Sequence, residues 1–223
     1  MKMMETGKKL IAGIDEARRG PVIGPLVIAG VMMDEKDLPK LDKLGVKDSK
    51  LLTPKQRETL FPKIQQISKY KIIVIEPQEI DDAVLSEELN LNWLEALKAV
   101  EIIKALKPNK TIIDCPSTNI AKYTNYIKEK LAMDEIKIIC EHKADLNHKI
   151  VGAASILAKV TGDRIIEEIK KKYGNVGAGY PSDPTTQKFL KENWEKHPEI
   201  FRKSWVSWQN HKNGKAQKKL GEF

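Results

Sequence analysis

Short apolar runs in the first half of the chain alternate with segments of helical periodicity. Apolar runs at 10–15 and 25–33 flank a glycine-rich turn and predict two strands. A helix is predicted to begin at Thr53, because threonine is a good N-cap and Pro54 suits the first helical position. The run YKIIVIE predicts a third strand, and two helical segments follow it, the second being NLNWLEALKAVEIIKAL.

Strands and helices alternate in the second half. KTIIDC and EIKIICEHKAD predict strands on either side of the helical segment NIAKYTNYIKEKLA, and a further helix is predicted from about 150 to 173. Three early strands followed by this alternation predict an α/β fold, with a mixed sheet of antiparallel and parallel parts flanked by helices. We place the main domain at 1–187, and a C-terminal helical region with a basic tail at 188–223.

The composition suits a protein with a substantial core. Of the 223 residues, 41% are hydrophobic and 31% are charged, and no apolar run approaches the roughly 20 residues that span a bilayer. The start MKMMETGKKL lacks the apolar centre of a signal peptide, so we expect a cytoplasmic protein. Cys115 and Cys140 each lie in a strand-like apolar run, and we expect free buried thiols rather than a disulfide.

Positive charge is concentrated towards the C-terminus. The formal net charge is +8, and the segment 188–223 holds nine lysines or arginines against four acidic residues, so five of the eight excess charges lie there. The same segment carries Trp205 and Trp208. Charge alone fits a merely soluble, lysine-rich surface equally well, but its concentration beside aromatic residues favours a polyanionic partner.

Acidic residues follow several of the predicted strands. Asp15 and Glu16 close the first strand, Asp114 ends KTIIDC, and Asp145 follows the last predicted strand. Ligands of α/β sheets bind beyond the strand ends, and clustered carboxylates require a cation, for which Mg²⁺ or Mn²⁺ is the suitable choice. A pair of such ions is a known device for phosphodiester hydrolysis. A lone aspartate at a strand end is more often a turn or cap residue, and spacing alone does not show convergence.

Five motifs carry a resemblance to a known family. They are GIDEARRGPVIGPLVIAG, GVKDSKLLTPKQR, IIDCPSTN, EHKAD followed by AASILAKV, and GAGYPSDPTT. Over residues 11–190, in this order, the chain resembles type 2 ribonuclease H (ribonuclease HII) in its archaeal form. The resemblance implies a ribonuclease H-like fold with a C-terminal helical region. It also implies endonucleolytic cleavage of RNA paired to DNA and at single ribonucleotides within duplex DNA, leaving 3′-hydroxyl and 5′-phosphate ends.

The resemblance also assigns roles to residues. It implies that two Mg²⁺ or Mn²⁺ ions are held by the four acids Asp15, Glu16, Asp114 and Asp145. Residues 18–20 occupy the place of a Gly-Arg-Gly loop whose backbone reads the 2′-hydroxyl, the group that separates RNA from DNA. Further substrate contacts are expected from Lys47, Ser49 and Lys50 on phosphates, from Lys143 near the scissile phosphate, and from Tyr180 on a sugar. A solvated turn at residues 47–50 and ordinary core packing of Tyr180 are the alternatives.

Two positions depart from the family pattern. Arg18 stands where the loop usually has its first glycine, and Gly162 stands where AKVxRD usually has arginine. We expect the first to disturb substrate recognition and the second to cost stability. Two alternatives follow: a degenerate member that binds hybrid nucleic acid but cleaves weakly because of Arg18, or a related ribonuclease H-like nuclease that cuts DNA. The expected partners are RNA–DNA hybrid, ribonucleotide-containing duplex DNA and a sliding clamp, with no membrane, and we expect a monomer.

Overall fold

Five strands form the central sheet of the computed structural model, which describes residues 8–46 and 51–220. The strand order is β3-β2-β1-β4-β5, and β1 pairs in parallel with β4, as β4 does with β5. The sheet is mixed and flanked by helices, so the predicted α/β fold is confirmed. The strands are β1 (Leu10–Ala17), β2 (Leu26–Asp34), β3 (Lys69–Ile75), β4 (Lys110–Asp114) and β5 (Lys137–Glu141).

The helices follow the predicted periodicity closely. Thr53 caps its helix as expected: its hydroxyl accepts from the N–H of Gln56, and its own N–H donates to the Gln56 side chain. Short 3-10 turns lie at Glu35–Asp37 and Pro198–Ile200. The helices are α1 (Pro39–Lys43), α2 (Pro54–Ile67), α3 (Pro77–Leu85), α4 (Leu91–Leu106), α5 (Ile120–Leu131), α6 (Ala144–Asn147), α7 (Lys149–Tyr173), α8 (Pro184–Asn193) and α9 (Val206–Leu220).

The described chain divides into two compact units. The first takes in the described residues of 1–17, 28–73 and 95–160, with most of the sheet. In it, the backbone of α7 lies directly against β1. A Cβ atom at Gly13 would lie 2.5 Å from the backbone of Ile150 and Val151, so only glycine permits this approach. The close contact fixes the first half of α7 beside the middle of β1.

The second unit takes in 18–27, 74–94 and the described residues of 161–223. An isolated antiparallel bridge joins Ile23 to Phe201. Three tryptophans, Trp194, Trp205 and Trp208, pack against its core. The buried residues of that core are Val22, Ile23, Ile166, Val176, Phe189, Leu190, Ile200 and Phe201.

Other expectations concern boundaries and thiols. The last strand ends at Glu141, earlier than predicted, so that Asp145 lies on the short helix α6. Cys115 and Cys140 are free and buried, as expected. Among the described residues, no helix is both long and apolar enough to cross a membrane. The domain boundary near residue 188 stays a prediction.

Candidate active site

Three carboxylates meet at one end of the sheet in the first unit. Asp15 is on β1, Asp114 ends β4 and Asp145 is on α6, and one oxygen from each lies within 4.8 Å of the other two. The register explains the first pair: Ile14 lies opposite Ile113, so Asp15 and Asp114 are the next residues on adjacent parallel strands. The sequence predicted that Asp15 and Asp114 follow apolar strand residues, and the strand order makes them neighbours.

Glu16 lies beside this group without belonging to it. It follows Asp15 on the same strand, where successive side chains point to opposite faces of the sheet. The negative charge of Glu16 nevertheless raises the pKa of the Asp15 carboxyl. The role of Glu16 as a fourth ligand stays a prediction.

Local hydrogen bonds orient the carboxylates. The backbone N–H of Ala144 donates to Asp114 Oδ1 at 3.0 Å, and the N–H of Glu16 donates to Asp15 Oδ1 at 2.8 Å. The Ser155 side chain, fully buried on α7, hydrogen-bonds the Asp15 carboxylate. Sequence reasoning treated Ser155 as one of several small packing residues and missed this contact. The small residues gave part of the information, because they allow α7 to lie close against β1, where Asp15 is.

Burial is the main electrostatic influence on Asp15. Desolvation raises the pKa of Asp15 well above its ordinary value, the charge of Glu16 raises it further, and the hydrogen bond from Ser155 lowers it. Asp114 adds another increase, since its carboxylate is close by. A buried carboxylate with other carboxylates close by is stabilised in its charged form by a cation. The donor set consists of oxygen atoms alone, which suits Mg²⁺ or Mn²⁺ and not zinc.

Four residues were predicted to contact phosphates, and the structure describes one of them. Lys143 is exposed, has a left-handed backbone (φ 59°) and precedes Ala144 at the start of α6. Its place, two residues before Asp145, is compatible with the expected phosphate contact, which stays a prediction. The other three residues of this set, Lys47, Ser49 and Lys50, lie outside the described residues.

The loop at residues 18–20 belongs to the second unit. Arg18 has φ 62°, the left-handed conformation that the glycine of the family pattern adopts without strain. Its Nη2 donates to the carbonyl oxygen of Ala178 at 2.9 Å, and its guanidinium lies 5.9 Å from the centre of the Tyr180 ring. Arg18 therefore adopts a backbone conformation that is strained for a non-glycine residue, and its side chain contacts other residues of the protein.

The side chain of Arg18 runs across Gly162 of α7. A Cβ atom at residue 162 would lie 2.6 Å from Cδ of Arg18 and 3.0 Å from its Cγ, which is closer than side chains tolerate. The two departures from the family pattern are thus neighbours: an arginine at 18 needs the space that a glycine at 162 leaves.

Tyr180 and Arg19 complete the surroundings of the loop. Tyr180 is 41% exposed, and a Cβ atom at Gly20 would lie 3.7 Å from its Cε1, so this ring faces the loop and is not a core residue. Arg19 donates through Nη2 to the side chain of Asn92 at 2.8 Å. These contacts bring together, within one unit, Arg18, Arg19, Gly20 and Tyr180 of the predicted substrate-binding set.

The structure also gives this loop partners that the sequence did not suggest. Arg202 is fully buried and donates to the carbonyl oxygens of Arg18 and Arg19, each at 2.7 Å. The indole N–H of Trp205 donates to the carbonyl oxygen of Gly20 at 3.1 Å. Sequence reasoning counted Arg202 only as part of a basic tail, and no spacing in the chain links it to residue 18.

Comparison with known proteins agrees with the motifs. A model of the ribonuclease HII family matches residues 12–208. The ribonuclease HII of Methanococcus maripaludis strain C5 is 49% identical over 213 residues, which cover 92% of this chain and 88% of that protein. The chain belongs to the ribonuclease HII family. The resemblance inferred from the motifs is thereby confirmed.

Solved structures of the ribonuclease HII family share the fold. The crystal structure of ribonuclease H2 from Pyrococcus horikoshii has a TM-score of 0.84 and 44% identity, covering 92% of this chain and 98% of that one. The ribonuclease HII in a complex with PCNA from Archaeoglobus fulgidus has a TM-score of 0.79 and 39% identity, covering 88% and 95%. As a member of the ribonuclease HII family, the chain is an endonuclease of the hydrolase class with ribonuclease H activity on RNA–DNA hybrids.

Proposed function

We propose that the chain cleaves the RNA strand of RNA–DNA hybrids and also cuts at single ribonucleotides embedded in duplex DNA. The proposed products have 3′-hydroxyl and 5′-phosphate ends. The observation that supports this most is the meeting of Asp15, Asp114 and Asp145 within 4.8 Å of one another. In the proposed site these three residues and Glu16 hold two Mg²⁺ or Mn²⁺ ions.

The chain's own residues prepare this site. When bound, the two ions would supply charge stabilisation for hydrolysis of a phosphodiester. Asp114 is held by the N–H of Ala144, and Asp15 by Ser155 and the N–H of Glu16, so two ligands are oriented before an ion arrives. Such preorganisation is what supporting hydrogen bonds provide at metal sites.

Recognition of the ribonucleotide is assigned to the loop at 18–20 and to Tyr180. The exposed Gly20 next to the Tyr180 ring leaves backbone and aromatic surface available to a sugar. Reading a 2′-hydroxyl requires close approach, which the missing side chain of Gly20 permits. Phosphate contacts are assigned to Lys47, Ser49, Lys50 and Lys143.

The observed place of Arg18 favours a competent enzyme over a degenerate one. The weak-cleavage alternative required the Arg18 side chain to obstruct the substrate. Its contacts with Ala178 and its path across Gly162 give that side chain a place inside the protein. The DNA-cutting alternative has no support, since the matching family and relatives carry the name ribonuclease HII.

A matched set of duplexes tests the proposal. We expect cleavage of the RNA–DNA hybrid and of the duplex with one ribonucleotide, and none of the all-DNA duplex, with either Mg²⁺ or Mn²⁺. Asp114→Asn should lower the turnover by orders of magnitude and leave hybrid binding largely intact. The matched control is Asp134→Asn, an exposed acid between α5 and β5, which should cleave as the parent does. Near-parental cleavage by Asp114→Asn would contradict the assignment.

We also propose a sliding-clamp partner. Support comes from the Archaeoglobus fulgidus complex, in which the related enzyme is bound to PCNA. In the segment 209–223, Leu220 and Phe223 are the large apolar residues among polar ones, and apolar residues at such spacing anchor peptides in grooves. The double variant Leu220→Ala/Phe223→Ala should lose clamp binding in calorimetry while keeping hybrid cleavage, and equal clamp affinity would rule out this segment. A monomeric state and a cytoplasmic location stay predictions.

A further inference from the structure

Arg202 is a charged residue with no exposed surface. Its three donor groups all reach backbone carbonyl oxygens of one loop. Nη2 donates to Arg18 at 2.7 Å, Nη1 to Arg19 at 2.7 Å and Nε to Gly24 at 2.9 Å. Hydrogen bonds from a charged donor are stronger than neutral ones, and a guanidinium presents them in a fixed planar arrangement.

Trp205 extends the same contact by one residue. Its indole N–H donates to the carbonyl oxygen of Gly20 at 3.1 Å, and the Arg202 guanidinium lies 5.0 Å from its ring centre. Three successive carbonyl groups, of residues 18, 19 and 20, therefore each accept a hydrogen bond from the segment 202–205.

A buried carboxylate holds that segment in turn. Asp81 is 3% exposed and accepts from the N–H groups of Lys203 and Ser204, each at 2.8 Å, and from the Ser204 hydroxyl at 2.6 Å. The N–H of Arg202 also donates to the carbonyl oxygen of Val22 at 2.8 Å. The arrangement is thus anchored at the arginine's own backbone and at the two residues that follow it.

Fixing a carbonyl also fixes an N–H. A trans peptide unit is planar, and its C=O and N–H groups point in opposite directions. Holding the carbonyls of Arg18 and Arg19 towards Arg202 therefore sets the direction of the N–H groups of Arg19 and Gly20, away from Arg202. The peptide after Gly20 precedes Pro21, which has no N–H to offer.

We propose that Arg202 and Trp205 are positioning residues that set the backbone of the loop at 18–20 for reading the ribonucleotide. Arg202 orients the N–H groups of Arg19 and Gly20, and Trp205 holds the Gly20 peptide in place beside them. The inference rests on the proposed role of this loop in substrate recognition. Residues with a purely structural role would stabilise the fold without changing the choice of substrate. A positioning residue acts on cleavage at the ribonucleotide more than on stability.

Two tryptophan variants separate these roles. Trp205→Phe removes the hydrogen bond to Gly20 and keeps an aromatic ring beside Arg202. Its control is Trp208→Phe: Trp208 packs edge-on against Trp194 at 5.6 Å, belongs to the same surroundings, and its indole nitrogen has no hydrogen-bond partner among the described residues. Both variants lose an indole of similar burial, but only the first loses a contact with the loop.

The measurements are single-turnover cleavage of the duplex with one ribonucleotide, affinity for the uncleavable all-DNA duplex, and the unfolding temperature. We expect Trp205→Phe to slow cleavage about tenfold, within the loss that small misplacements of a substrate cause. Affinity for all-DNA duplex should stay within about twofold of the parent, because phosphate contacts dominate it. Trp208→Phe should cleave as the parent does, although both variants lower the unfolding temperature.

Equal cleavage rates for the two tryptophan variants would overturn the proposal. Arg202→Lys provides a second test, since lysine keeps the charge but not the planar set of donors, and its cleavage should fall further than that of Trp205→Phe. If it does not fold, the tryptophan pair still decides. Failure of the parent to cut the single-ribonucleotide duplex would instead refute the proposed function, and the two failures are therefore distinguishable.

Discussion

Replacing Gly162 with alanine should destabilise the protein, although alanine is the better helix former. Gly162 is a buried position inside α7, and its missing side chain leaves room for Arg18. The new Cβ would lie 2.6 Å from Cδ and 3.0 Å from Cγ of Arg18, so the arginine must move. Once it moves, its hydrogen bond to the Ala178 carbonyl at 2.9 Å is strained or lost.

The contributions to the free energy of unfolding can be compared. Alanine in place of glycine gains about 1 kcal/mol in a helix interior. Overpacking costs about 1–3 kcal/mol, and loss of a hydrogen bond from a charged donor costs about 1.5–3 kcal/mol, part of which water restores at this half-buried side chain. The net expectation is a loss of about 1–2 kcal/mol. In the Arg18→Gly background the obstruction is gone, and the same replacement should stabilise by about 1 kcal/mol.

Urea unfolding of the parent, the two single variants and the double variant measures this change of sign. The expected coupling energy between the two positions is about 2–3 kcal/mol, well above the roughly 0.5 kcal/mol typical of independent sites. Additive effects, or a stabilising Gly162→Ala in the parent, would show that Arg18 does not occupy the space at residue 162. The Arg18→Gly protein also tests substrate recognition, and its cleavage of a single embedded ribonucleotide can be measured beside the parent.

Further predictions concern a thiol, the tail and the metal. Burial raises the pKa of Cys140 to about 11, so its native thiolate fraction at pH 8 should be about 100-fold below that of a free thiol, and Ellman's reagent should label it only on unfolding. Because the native state holds this proton, the stability contributed by Cys140 should fall as the pH rises from about 9 towards 11; constant stability there would contradict the buried thiol. Deleting residues 209–223 removes four lysines and should make the salt dependence of duplex affinity shallower, whereas an unchanged slope would exclude them from phosphate contact. Millimolar Mg²⁺ should raise the unfolding temperature of the parent and do so less for Asp114→Asn, because the ion binds only the folded carboxylates; equal shifts would contradict the proposed site.

Local patterns were sufficient for most elements of the fold. The helix that begins after Thr53 follows from a capping box four residues long, and the strands follow from apolar runs that need no distant partner. Asp15 and Asp114 were expected to meet only if their strands were neighbours. In the sheet, β1 and β4 are adjacent. Asp145 was placed at a strand end because an apolar run does not show where its last residue leaves the sheet.

Side-chain partners across long separations were not predictable from one sequence. Arg18 and Gly162 were interpreted as two separate defects, each with its own cost, and no periodicity indicates that one makes room for the other. Ser155 was interpreted as a packing residue, since a small side chain in an apolar helix has that role far more often than it supports a carboxylate. The contacts of Arg202 escaped for the same reason: hydropathy describes which face of an element is buried, and not which backbone atoms a buried guanidinium meets.

The dependence of the loop on Arg202 has a consequence for the order in which the protein matures during translation. Arg18 and Arg202 are 184 residues apart, so at about 5–20 residues per second the ribosome needs roughly 10–40 s to add the second after the first. Asp15, Asp114, Asp145 and Ser155 are all synthesised before Arg202, so the acidic residues exist as a set while the loop that follows Ala17 still lacks its donors. A growing chain can therefore assemble its carboxylates earlier than the loop that we propose to read the ribonucleotide. In the proposed function, substrate selectivity is completed only after Arg202 and Trp205 have been added to the chain.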